Sequence, residues 1–160
     1  EEIEEECMQE VEEIPLLSLE DGVVVCDKTN SELGKYLRTG FAAPEAHHIW
    51  TKECYASIVC RIEESITEDI VCTINVFQVF NDVQQVTISC GDTILFSDTI
   101  NQNLSQISFS IPKECLKDNI LSLQLELPDA VSPKELGDGE DGRKLALAIT
   151  SIEFAKVTDE

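Results

Sequence analysis

Residues 86–97 read VTISCGDTILFS. Val86, Ile88 and Cys90 alternate with polar neighbours, Gly91-Asp92 interrupts the run, and Ile94 and Phe96 resume it. Successive side chains of a strand point to opposite faces, so this spacing predicts a β-hairpin, with Gly in the first turn position suiting a type II′ turn. The same period of two recurs along the chain. Val23–Cys26 reads as a strand, and Cys54–Ile62 puts Ala56, Ile58, Cys60 and Ile62 on one face. Ile70–Phe80 puts Ile70, Cys72, Ile74 and Val76 on one face, then Phe77 and Val79 on the other, a switch that predicts a bulge or burial on both sides. Ile107–Ile111 alternates cleanly, Ile120–Leu127 turns Leu121, Leu123, Leu125 and Leu127 inward, and Leu145–Phe154 is a last strand with a phase slip near Thr150. No long amphipathic helix competes with this pattern; Pro112–Asn119 holds a helical turn at most. The expectation is an all-β fold, an antiparallel sandwich or barrel with about eight or nine strands.

The chain has 160 residues, 42% of them hydrophobic, enough for one packed core. Residues 1–13 carry eight Glu; this stretch through Ile14 is expected to be an acidic linker or the tail of an upstream region, with a single β-sandwich domain over 15–157. The chain opens with Glu1 rather than Met, so it reads as a piece of a longer protein. Its apolar runs are too short to span a bilayer, and no direct membrane insertion by this segment is expected.

Thirty-two acidic against 11 basic residues leave a net charge of −21. Phosphate backbones and anionic membranes need Lys and Arg counter-charges, so nucleic-acid and anionic-lipid partners are excluded, while neutral ligands and cations are not. The seven Cys cannot all pair internally, none stands in a C-x-x-C spacing, and Cys60, Cys72 and Cys90 occupy apolar strand positions. They read as reduced, buried thiols of a cytoplasmic protein, which leaves membrane association to a parent chain.

Two connections exceed ordinary loop length: Asp27–Thr51 and Pro128–Lys144. The first contains GFAAPEAHHIW, residues 40–50, which holds the only Trp and both His. The second contains SPKELGDGEDGRK, residues 132–144. The stretch LGKYLRTGFAAPEAHHIWTKECYASIVCRI resembles the first half of a β-sandwich domain found at the ends of bacterial glycosyltransferases and surface-polysaccharide proteins. SPKELGDGEDGRKLALAITSIEF is similar to that family's second hallmark, before its last strand. The resemblance implies an antiparallel β-sandwich of jelly-roll type, akin to carbohydrate-binding modules, and a non-catalytic accessory role beside a polysaccharide-assembling glycosyltransferase. Carried over, the motif residues are Gly40, Phe41, Pro44, Glu45, Trp50, Ser132, Pro133, Gly137, Asp141 and Arg143. His47-His48 stand where the family often has Trp-Gly, and Ala146 follows Leu145 where Gly is common.

Of these, Glu45, Trp50, Asp141 and Arg143 are the candidate glycan-binding residues; Trp50 would stack on a sugar ring or seal the end of the sandwich. Gly40, Phe41, Pro44, Ser132, Pro133 and Gly137 are expected to brace the two loops, with Glu45 and Arg143 paired between them. Phe41 and Tyr36 read as core plugs. His47 and His48 read as exposed and as poor joint metal ligands, because adjacent strand residues point oppositely. DGEDG, residues 138–142, invites calcium, but position 148 is Ala where an EF-hand needs Glu, so no cofactor is assigned. Three function classes follow: a glycan-binding accessory domain, a ligand-free structural or protein-interaction module, and a glycoside hydrolase or esterase. No nucleophile-elbow or P-loop pattern supports the third, and no catalytic residue is assigned.

Overall fold

The computed structural model describes residues 14–156; the acidic stretch 1–13 lies outside the described residues. Eleven strands form two sheets, which is the all-β sandwich expected. The first sheet contains β1 (Leu16–Leu17), β3 (Leu37–Thr39), β5 (Tyr55–Ile62), β7 (Val83–Cys90), β8 (Thr93–Asn101) and β10 (Ile120–Glu126). Its order is β1-β5-β10-β7-β8, with β3 also pairing β5. The second contains β2 (Val23–Val25), β4 (Ile49–Trp50), β6 (Ile70–Val79), β9 (Gln106–Ile111) and β11 (Leu147–Lys156). Its order is β2-β11-β6-β9, with β4 also on β11. All pairings are antiparallel except β1 with β5. The strands beyond the expected eight or nine include β1, β3 and β4, two or three residues each and too short to show a period. A single helical turn, α1 (Leu33–Tyr36), precedes β3, and Lys113–Cys115 is one 3-10 turn. No helix among the described residues is long and apolar enough to cross a membrane.

The period-two faces meet as read. Ala56, Ile58, Cys60 and Ile62 of β5 face the core beside Leu121, Leu123, Leu125 and Leu127, and Ile70, Cys72 and Ile74 oppose them from β6. Full burial of one such aliphatic side chain stabilises by about 1.5–3 kcal/mol, and this interlocked set is the main cohesive term. Two pattern expectations are corrected. Phe77 is not on a second buried face: it follows Val71, Thr73 and Asn75 on the outer side and is 57% exposed, and the bulge there, where partners jump from Gln78–Ala148 to Val76–Ile149, turns Val79 and not Gln78 inward. Ile94 is 65% exposed, because β8 bulges next to the Gly91-Asp92 turn, at the free edge of its sheet. The slip expected at Thr150 is present: partners jump from Ile149–Val76 to Ser151–Asn75.

The six described cysteines carry no disulfide. Cys26, Cys60, Cys72 and Cys90 are buried, Cys115 is half-buried and Cys54 is exposed; Cys7 lies outside the described residues. Burial pushes the thiols of Cys26 and Cys60 up to about 12, which keeps them un-ionised and inert.

Gly40 is the corner at which the chain leaves β3 in the first sheet and enters the second through Phe41, which bridges to Thr51. Its φ is +81°, and a Cβ there would meet the Tyr55 carbonyl oxygen on β5. Only Gly takes this backbone and this approach. Gly40→Ala is expected to cost about 3 kcal/mol or more by chemical denaturation, whereas Gly34→Ala, in open space on α1, is expected to be neutral or better.

Candidate functional site

The long first connection folds back on itself. Ala42 N–H donates to the Trp50 carbonyl and Lys52 N–H to Gly40, at 2.8 and 2.7 Å, so residues 40–42 run against 50–52. Glu45 N–H donates to the His48 carbonyl at 2.8 Å and closes the tip. The returning arm, β4, then docks on β11 with Trp50 opposite Ala148 and Ile49 opposite Ile149. Thr51 clamps it: its N–H donates to the Leu147 carbonyl at 2.9 Å, and its Oγ1 accepts from the Leu147 N–H at 3.1 Å. Thr51 is fully buried.

This docking gathers four rings on the outer side of the second sheet. The His48 imidazole stacks on Phe77, centroids 4.8 Å apart and planes 10° from parallel. Trp50 meets His48 edge-on at 6.1 Å and Phe80 edge-on at 6.1 Å. His48 and Trp50 are half-buried and Phe77 is exposed, so the group presents apolar surface at one end of the sandwich. His48 is therefore not an exposed residue, contrary to expectation; His47 is. Glu45 stands at the rim with Oε1 3.6 Å from His48 Nε2. Phe77 and Phe80 were not marked as site residues from the sequence. The alternation was the signal: with Ile70, Cys72, Ile74 and Val76 facing the core, Phe77 falls on the outer face.

The second connection braces itself. The Ser132 hydroxyl accepts from Glu135 N–H at 3.0 Å while the Glu135 carboxylate accepts from Ser132 N–H at 3.1 Å, a reciprocal capping box around Pro133. Asp138 N–H returns to the Pro133 carbonyl and Gly137 N–H to Lys134, with Gly137 at φ +78°, which is a Schellman close. The run SPKELG thus encodes one capped turn from start to stop. Pro44, by contrast, is exposed at the tip of the first loop.

Arg143 does not bond Glu45. Its Nε and Nη2 hold the Asp141 carboxylate in a bidentate grip at 2.7–3.1 Å, and its N–H donates to Asp141 Oδ1. Asp141 is two residues away and reaches the guanidinium first; Glu45 contributes only a weaker through-space attraction, and the two loops join instead through Lys144 N–H to the Lys52 carbonyl at 3.1 Å. The Arg143 side-chain bonds, then its N–H, pull the Asp141 carboxyl down to about 2. Among the described residues no three His, Cys, Asp or Glu side chains come together to hold a metal ion.

No protein-family model matches the sequence, and no curated protein matches it. Solved structures do. The mosquito-larvicidal Cry4Aa toxin of Bacillus thuringiensis aligns over 91% of this chain and 25% of its own, at 13% identity and a TM-score of 0.54. The C-terminal family 6 carbohydrate-binding module of the laminarinase LamC from Zobellia galactanivorans aligns over 84% of this chain and 99% of its own, at 12% identity and 0.49. A family GH115 4-O-methyl-α-glucuronidase, BtGH115A, aligns over 74% of this chain at 11% identity and 0.44, and the chain spans only 15% of its length. These likenesses concern the β-sandwich fold.

The Asp141–Arg143 pair makes a pH prediction. A carboxyl whose folded pKa lies below its unfolded value of about 3.9 adds stability above that value and loses it as pH falls through about 2. Carboxyl NMR should place the Asp141 midpoint near 2 in the wild type, and Arg143→Ala should raise it part of the way toward the free carboxyl value, because the N–H of residue 143 still donates to Asp141.

Proposed function

We propose that this chain is a non-catalytic accessory domain, with residues 15–157 as its folded unit, that binds a glycan at the Trp50 end of the sandwich. The observation that supports the reading is the outward ring cluster of Phe77, His48, Trp50 and Phe80 with polar groups at its rim. The carbon–hydrogen face of a sugar ring packs on exposed aromatic surface, and hydroxyls take hydrogen bonds from nearby fixed polar groups. Glu45 lies beside His48, and Arg143, already oriented by Asp141, precedes the Lys144–Lys52 junction. A net charge of −21 does not oppose a neutral sugar, as it would a phosphate polymer. The resemblance of the two loop motifs to domains attached to bacterial polysaccharide-assembling glycosyltransferases supports a parent enzyme of that class, and the free thiols among the described residues support a cytoplasmic setting.

Trp50 is the only Trp and reports on the cluster directly. Glycan-array binding by the chain, followed by titration of the best oligosaccharide against Trp50 emission, is expected to show saturable binding. Phe77→Ala removes an exposed ring and should weaken it about tenfold or more with little loss of stability. Binding that is indifferent to both Phe77→Ala and Trp50→Ala would overturn the site. No binding to any glycan would favour the structural or protein-interaction module.

A further inference from the structure

Away from the ring cluster, an open groove of about 570 Å³ lies between the end of β7 and the 3-10 turn before β10. Cys90 and Cys115 both line it. Cys90 closes β7 directly before the Gly91-Asp92 turn, and Cys115 ends the 3-10 turn. The Cys90 thiol donates to the Cys115 carbonyl at 3.4 Å. The two are nonetheless unbonded. The other buried thiols differ: Cys26, Cys60 and Cys72 have almost no exposed surface and line none of the described cavities.

We propose that Cys90 and Cys115 form a reversible disulfide, a redox-modification site that staples the β7–β8 hairpin to the segment entering β10. The oxidant class is a small neutral peroxide. Asp92, Glu114 and Asp118 line the groove against the single cation Lys117, so anionic oxidants are repelled and hydrogen peroxide is not. The half-buried Cys115 reacts first, because burial and the neighbouring thiol both hold the Cys90 thiol un-ionised. Its thiolate sulfur attacks one peroxide oxygen, the O–O bond breaks, and hydroxide leaves, giving a sulfenic acid. The Cys90 sulfur then attacks the Cys115 sulfur, the S–O bond breaks, and water leaves. In sum, two thiols are oxidised to one disulfide and one hydrogen peroxide is reduced to two waters. A dithiol reductant reverses the bond by exchange.

The test treats the chain with hydrogen peroxide in a Cys7→Ser, Cys54→Ser background, which removes the exposed thiol among the described residues and the one thiol outside them, either of which would link copies. Remaining thiols are alkylated and the digest is mapped by mass spectrometry. The expected result is one cross-linked peptide pair joining Cys90 to Cys115, two alkylated thiols fewer per chain, and a Tm raised on the order of 5–10 °C that dithiothreitol reverses. Cys115→Ser and Cys90→Ser should each abolish the cross-link and the shift. Because the link is read in otherwise native protein, a failure of either variant to fold does not blunt the test. Cys115 trapped as sulfinic acid, a link to another cysteine, or no change in thiol count would overturn the proposal.

Discussion

Thr51 carries the arrangement on which the candidate site depends. Its backbone and hydroxyl both bond Leu147, in a fully buried position at the start of β11. In water such a hydroxyl would be indifferent to its partner. In the core, an unpaired Leu147 N–H would cost about 1–3 kcal/mol, so the register of β4 on β11 is strongly specified. That register puts Trp50 over Ala148 and not one residue away, where Ile49 would face solvent and Trp50 the core. The loop that holds the lone Trp, once pinned, forms one wall of an aromatic surface with Trp50 and His48, while His47 stays exposed outside it.

The other wall comes from the sheet. Two bulges face each other across β6 and β11, one at Phe77 and one at Thr150. The Thr150 hydroxyl donates to the Asn75 carbonyl at 3.3 Å, and Cys26 N–H donates to the Thr150 carbonyl, so the polar groups that the slip frees are satisfied. Regular pleating already places Phe77 on the outer face beyond Val71, Thr73 and Asn75, where it stacks on His48; the bulge shifts the phase after it, so that Val79 and not Gln78 enters the core. Loop and sheet therefore contribute one element each to a surface that neither makes alone.

Much of the fold was readable as alternation, because β5, β6, β7, β9 and β10 each have one wet face and one dry face, and that contrast is written directly in residue order. β8 was legible as the second arm of the hairpin, but its inward face was not, because it is an edge strand whose side chains are mostly exposed and its apolar residues do not sort by face. The short strands β1, β3 and β4 are held by neighbours and have no length in which to show a period. Within the site, the self-bracing of Ser132 to Gly137 was local and hence legible in kind, as a turn start and a turn stop. The partner of Arg143 was not. A guanidinium chooses among carboxylates by distance, and Asp141, two residues off, wins over Glu45 across a loop junction. The buried thiols were legible from the apolar strand positions of Cys60, Cys72 and Cys90, but the meeting of Cys90 with Cys115 depends on two turns 25 residues apart in sequence, and only the folded chain brings them together.

The central claim is that glycan recognition lives at the ring cluster and not elsewhere on the sandwich. Its most direct test is a chemical-shift map of the labelled chain titrated with a bound oligosaccharide. The account predicts saturable shifts at the Trp50 indole N–H, at the rings of Phe77 and His48, and at Glu45, with the outer face around Tyr55 and Gln124 unmoved. Shifts centred on Tyr55 and Gln124, with the Trp50 indole silent, would contradict it.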